Sequence, residues 1–178
     1  MAGPSIQTSW QVISLNSSIL FLFSPSQGQR PNVVPLQIHL PNEQRIVFDP
    51  SLNARHIVEC GENSDTPLLA FFKANQRPGP VGNLAWSLTY QEFPKQFTLK
   101  SIEDDPHSKT WSHRQTGFAI GCMIHVGPTA GEKFYLRTLL MVVKGPTSFE
   151  DLRTVDGMLC GSFHEACLKW GLLEDDGE

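Results

Sequence analysis

Long apolar runs are missing from this chain: no stretch approaches the roughly eighteen consecutive apolar residues that a transmembrane helix needs, so no membrane span is expected. Charge is scarce. With 18% charged residues against 40% hydrophobic ones, the chain has too much to bury for wholesale disorder. Cysteine is scarcer still. Cys60, Cys122, Cys160 and Cys167 form no C-x-x-C bracket, which argues against a zinc ribbon or redox pair, and four are too few for a disulfide scaffold of this length. Reduced, mostly buried thiols are expected instead.

Two kinds of catalytic machinery are missing as well. A nucleotide-driven motor wraps phosphates in the amides of G-x-x-x-x-G-K-[ST]. The segment Gly127-Pro-Thr-Ala-Gly-Glu-Lys-Phe134 only imitates it. Glu132 stands where the second glycine belongs and would repel phosphate, and Phe134 has no hydroxyl for magnesium. A strand-nicking nuclease needs two histidines around one apolar residue to hold its metal, with a tyrosine nucleophile nearby. The six histidines, at 39, 56, 107, 113, 125 and 164, contain no such pair, so Tyr90 and Tyr135 read as packing residues. No Ser, His and acid arrangement has a defensible spacing.

What is present suits one domain with a real core. The chain has 178 residues, and its 13 prolines and 14 glycines break it into short elements. The net charge of −4 is unevenly placed: residues 1–149 hold 12 Lys and Arg against 10 Asp and Glu, whereas residues 150–178 hold 2 against 8. The acidic end reads as a solvated tail. Near the amino terminus, Val12–Phe23 has the length of a signal-peptide core. No Lys or Arg precedes it, however, and Asn16, Ser17 and Ser18 interrupt it, so the protein is expected inside the cell, nuclear or cytoplasmic, and not secreted.

Periodicity and punctuation predict an α+β fold, with antiparallel hairpins in the first two thirds and short helices in the last. Leu36, Ile38 and Leu40, then Ile46 and Phe48, alternate across a turn at Pro41-Asn-Glu43 and predict a hairpin over 33–49, with His39 on its exposed side. Thr66-Pro67 predicts a helix over 67–75. Tyr90–Lys100 and Lys109–Arg114, around the acidic turn Glu103–Pro106, predict a second hairpin, and Phe118–Val126 a further strand. Capping boxes at Thr129–Glu132 and Ser162–Glu165, and a helix start at Ser148–Asp151 between them, predict three helices. The first carries Phe134, Leu136, Leu139, Leu140 and Val143 to the core and ends at Gly145-Pro146. Phe149, Leu152, Phe163 and Cys167 pack nearby, and Gly171 closes the last helix.

The remaining information lies in an ordered series of words. These are Val33-Val-Pro-Leu-Gln-Ile-His-Leu-Pro-Asn-Glu-Gln44, Leu68-Leu-Ala-Phe-Phe-Lys-Ala-Asn75, Tyr90-Gln-Glu-Phe-Pro94 and Trp111-Ser-His-Arg114. Gly117-Phe-Ala-Ile-Gly-Cys-Met123, Pro128-Thr-Ala-Gly-Glu-Lys-Phe-Tyr-Leu-Arg137, Gly145-Pro-Thr-Ser-Phe-Glu-Asp-Leu-Arg-Thr154 and Gly171-Leu-Leu-Glu-Asp-Asp176 follow. Their order and spacing resemble the stretch of Helitron transposon helicase-like proteins between the rolling-circle nuclease and the helicase. The resemblance fails before residue 31, where the family's "A-C-W-R-[IL]-F-x-F-P-x-H-G" is reduced to Trp10 and Ser24–Gln29. Residues 1–30 thus read as a divergent extension, and 31–178 as the connecting domain.

The resemblance implies a truncated, non-catalytic fragment of a protein whose family performs DNA transposition and ATP-dependent unwinding. ATP and magnesium belong to that full-length family, and no cofactor is expected here. Its partners would be the family's nuclease and helicase domains and, weakly, single-stranded DNA. The residues available for such contact are Trp111, Arg114, Lys133, Arg137, Lys144 and Arg153, with a solvated, ion-paired surface as the plainer reading. Cys122 stands where the family usually has Arg, which removes one cation. A stand-alone binding module for single-stranded DNA or for the parent transposase is the alternative. No metal is expected. The one candidate is the trio Cys160, His164 and Cys167, at i, i+4 and i+7, which an unrelated enzyme could use, although Cys160 falls ahead of the predicted helix.

Overall fold

The computed structural model describes residues 14–15, 18–19, 32–44, 65–103 and 105–173. The chain divides into two units, residues 1–30 and 31–178. In the first, β1 (Ser14–Leu15) and β2 (Ser18–Ile19) form a short antiparallel pair. The rest of the Val12–Phe23 stretch lies outside the described residues. The second unit is α+β, as the sequence predicts: β3 (Asn32–Leu36), α1 (Pro67–Asn75), α2 (Pro80–Trp86), α3 (Phe93–Gln96), β4 (Phe97–Ile102), β5 (Asp105–His113) and β6 (Ala119–Met123) are followed by α4 (Glu132–Val142), α5 (Phe149–Leu152), β7 (Thr154–Val155), β8 (Met158–Leu159) and α6 (Phe163–Lys169).

Local chemistry explains the helix starts. Thr66 Oγ1 accepts from Leu69 N at 3.2 Å, Ser148 Oγ from Asp151 N at 3.1 Å and Ser162 Oγ from Glu165 N at 3.0 Å, each satisfying an amide that the first turn leaves open. Glu165 returns its carboxylate to Gly161 N at 2.8 Å. At the far end of α6, Gly171 takes φ 65°, its N–H reaches Leu168 O, and Leu172 N reaches Cys167 O. This is the paired closure a left-handed glycine permits.

The helix α4 departs from its expected cap. Its N-cap is Gly131, at φ 59°, and no side chain caps it. Glu132 instead reaches across to α6, accepting from Phe163 N at 2.7 Å and His164 N at 3.4 Å. A carboxylate beside a helix amino terminus is favoured by the helix dipole as well as by the two amides. The residue that spoils the phosphate-loop pattern therefore ties two helices together.

The second arm of the hairpin expected over 33–49 lies outside the described residues, and β3 pairs in parallel with β6, from Asn32↔Ala119 to Leu36↔Met123. One strand pair is thus parallel where only antiparallel pairing was expected. Gly121, in the middle of β6, has a packing reason: a Cβ there would collide with the Gln91 carbonyl and sit 2.9 Å from Leu36 Cδ1. The second expected hairpin forms as β4 and β5, registered from Phe97↔His113 to Ser101↔Lys109, but Phe93–Gln96 ahead of it is helical.

The core joins two aromatic groups through α1. Phe71 meets Tyr90 at 5.0 Å and Phe93 at 4.8 Å, and Phe93 stacks on Phe97 at 4.3 Å and meets Trp111 edge-on at 5.3 Å. Phe72, one residue on, meets Phe149 at 5.0 Å, and Phe149 meets Phe163 at 6.4 Å. Tyr90 is fully buried, its hydroxyl donates to Gln37 O at 3.1 Å, and burial pushes its phenol well above the ordinary range. That environment suits packing and disfavours a phenolate nucleophile. Leu136, Leu139 and Leu140 of α4 are also buried, with Phe134 and Val143 at the margin.

His39 was expected on the exposed side and is instead 5% exposed. Its Nδ1 lies 2.9 Å from Leu40 O and its Nε2 2.8 Å from Thr66 Oγ1. The arrangement is satisfied by a neutral ring: Nδ1–H donates to the carbonyl, and the Thr66 hydroxyl donates to Nε2 while accepting from Leu69 N. Burial, aided by the nearby Lys133, lowers the imidazole below its ordinary 6.5, with Leu40 O and Glu43 opposing. The folded state therefore resists a proton that the unfolded chain accepts. Stability should be whole above about pH 6.5 and fall as the pH drops from there towards the folded value. Urea titrations at neutral and mildly acidic pH should show the midpoint falling in the wild type and falling less in His39→Gln. An equal fall in both would remove His39 as the cause.

Candidate nucleic-acid interface

The strands β3 and β6 run in parallel, so both carboxyl ends open on the same side. After them come Gln37–Leu40 and Ile124–Gly127, then a 3₁₀ turn at Pro128–Ala130 and the first turn of α4. Between these segments lies a cleft of about 300 Å³. Ile38, Ile124 and Val126 make its apolar wall, and His125 and Lys133 its polar one.

Lys133 and Arg137 stand one helical turn apart on α4 and share a face. Arg137 Nε donates to Ile124 O at 3.1 Å, which fixes the guanidinium beside the cleft. Neither cation has an ion-pair partner among the described residues. Glu132 is their nearest neighbour in sequence, but its carboxylate accepts from the α6 amides.

The other expected contacts are placed differently. Trp111 is wholly buried, and its Nε1 donates to Pro67 O at 3.1 Å, so its ring cannot be offered to a base. Arg114 donates to Pro94 O and Phe97 O and staples α3 to the start of β4. Arg153 donates to Gly161 O, lies 5.5 Å from the centre of the Phe163 ring and approaches Glu150 at 3.9 Å. Lys144 is exposed beyond the other end of α4 and helps hold the Glu92 carboxyl below its ordinary range, after the Thr89 hydrogen bonds. Of the six, only Lys133 and Arg137 meet at one site. Ile124 and His125 join them there; their signal in the sequence is position alone, between a strand and a glycine-rich turn.

The trio Cys160, His164 and Cys167 is not assembled as a ligand set. Cys160 precedes α6 and is buried, Cys167 faces the core with its Sγ 3.4 Å from Tyr135 O, and His164 is exposed and packs on Tyr135 at 4.6 Å. Burial, with Glu132 adding to it, pushes the Cys167 thiol up to about 11, which disfavours the thiolate a metal would need. Among the described residues no group of three or more His, Cys, Asp or Glu is placed to hold a metal, and no helix is long and apolar enough to cross a membrane.

A scan against protein-family models finds none that matches this chain, and a search of curated proteins finds no match either.

Proposed function

We propose that residues 31–178 are the connecting domain of a Helitron-type helicase-like transposon protein, with no catalytic centre of their own. The observation that carries this reading is a coincidence of two patterns. The words that resemble the family are scattered over more than a hundred residues, yet they supply parts of one core: Leu36, Phe71 and Phe72, Tyr90 and Phe93, Trp111, Leu136, then Phe149 and Leu152. Residues that pack together have a physical reason to recur together.

On this reading the domain spaces a nuclease from a motor in a protein that transposes DNA in the nucleus. ATP and magnesium act elsewhere in that protein. The reading is tested by sequencing the DNA that flanks the coding segment. Nuclease words upstream or a phosphate loop downstream, even in a decayed frame, are the expected result, and intact unrelated genes on both sides would sink it. The purified chain should also neither bind nor hydrolyse ATP, because Glu132 occupies the second glycine position and is committed to α6. Micromolar ATP affinity lost in Lys133→Ala would overturn the non-catalytic assignment.

A second reading, a binding module for single-stranded DNA, is favoured by one observation. Lys133 and Arg137 share a face of α4 beside an open cleft, and among the described residues no carboxylate is paired with either.

A further inference from the structure

We propose that the cleft at the carboxyl ends of β3 and β6 seats one nucleotide unit of a single DNA strand, with its backbone phosphates on Lys133 and Arg137 and its sugar and base against Ile124 and Val126. This rests on the binding-module reading and names its site. The cleft measures about 300 Å³, the low end of ligand cavities, which suits one unit of a strand better than a folded cofactor.

Its chemistry is divided as a strand requires. One wall is apolar, and Ile124 is 64% exposed there, so its side chain is open to a sugar or base entering the cleft. The other wall carries Lys133 and His125, and among the described residues no carboxylate lines the cleft. Arg137 extends the cationic edge by one turn, and its Nε bond to Ile124 O couples it to the apolar wall while its terminal nitrogens have no partner among the described residues. An Arg held by one bond and open at its fork is prepared for a phosphate. The apolar wall tolerates any base, so binding would be independent of sequence.

The test uses the full chain and a fluorescently labelled oligo-dT strand, read by anisotropy at several salt concentrations. Affinity should be weak, on the order of 10⁻⁴ M, because two cations converge there among the described residues. Two phosphates at about 0.7 each on a single strand give a slope of log K against log salt of about −1.4. The double variant Lys133→Ala, Arg137→Ala should lose about tenfold at low salt and flatten that slope, as two lost phosphate contacts require. Ile124→Glu, at an exposed position that should leave folding intact, should weaken binding similarly. Lys100→Ala, on the β4–β5 hairpin, should change nothing.

Absence of binding by the wild-type chain would overturn both the cleft and the binding-module reading. Binding that survives the double variant would overturn the cleft alone. Displacement by inorganic phosphate, or by an acidic polypeptide, at concentrations matching unlabelled oligo-dT would overturn the strand as occupant. The family reading is decided separately, by the flanking DNA.

Discussion

Trp111→Ala should destabilise the protein by about 3–5 kcal/mol, the range for truncating a buried aromatic side chain. The ring is fully buried, sits edge-on to Phe93 at 5.3 Å, and spends its one donor on Pro67 O at 3.1 Å. Removing it leaves a cavity next to Phe93 and takes from the Pro67 carbonyl the bond it accepts from the indole, and the two losses add. Trp111→Phe should lie between, since it keeps much of the packing and still loses the donor. Urea unfolding followed by circular dichroism measures both. DNA affinity per folded molecule should be unchanged, because the ring cannot reach a ligand. A variant as stable as the wild type but weaker on DNA would return Trp111 to the contact role that the sequence suggests for it beside Arg114.

Features that depend on a few adjacent residues were legible in the chain, and those that depend on distant ones were not. Thr66, Ser148 and Ser162 announce their helices because a hydroxyl and an amide three residues on are enough to make the cap. Gly145 announces a stop, and the reason is partly distant: it takes φ 64°, and a Cβ there would lie 2.8 Å from the Trp86 backbone. Pairing of β3 with β6 has no local signature, since 82 residues, 37 to 118, separate the two strands. Alternation shows that a strand has two faces; it does not show which strand lies beside it.

Thr129 and Glu132 show how a correct spacing can serve another purpose. The sequence matches a capping box, but Gly131 opens α4 at a positive φ, and the glutamate is drawn to a second helix whose amino terminus only the folded chain brings near. His39 follows the same logic. On strand parity it is outward, yet Thr66, 27 residues later, supplies the hydroxyl that makes its burial tolerable. The candidate site was half legible for this reason. Lys133 and Arg137 share a helix face in any sequence reading, whereas the apolar wall opposite them needs the end of β3 to arrive beside the end of β6.

Leu140→Ala should cost about 2–5 kcal/mol, the range for a buried leucine, and the upper half is expected. Leu136, Leu139 and Leu140 are all fully buried, so the neighbours that would have to collapse into the gap are themselves fixed from other sides. Collapse is what lowers the cost of such a cavity, and here it is resisted by α6, which packs on α4 and is tied to it through Glu132. Met141, the next residue, is 42% exposed, and Met141→Ala should shift stability by well under about 1 kcal/mol. The pair of variants therefore reads the orientation of α4 directly. A urea midpoint lowered only in Leu140→Ala, with an unchanged slope, places the 136–140 ridge inwards and leaves the neighbouring Lys133 and Arg137 free to face the cleft. Equal effects at 140 and 141 would mean the helix is rotated, and the cleft with its two cations would go with it.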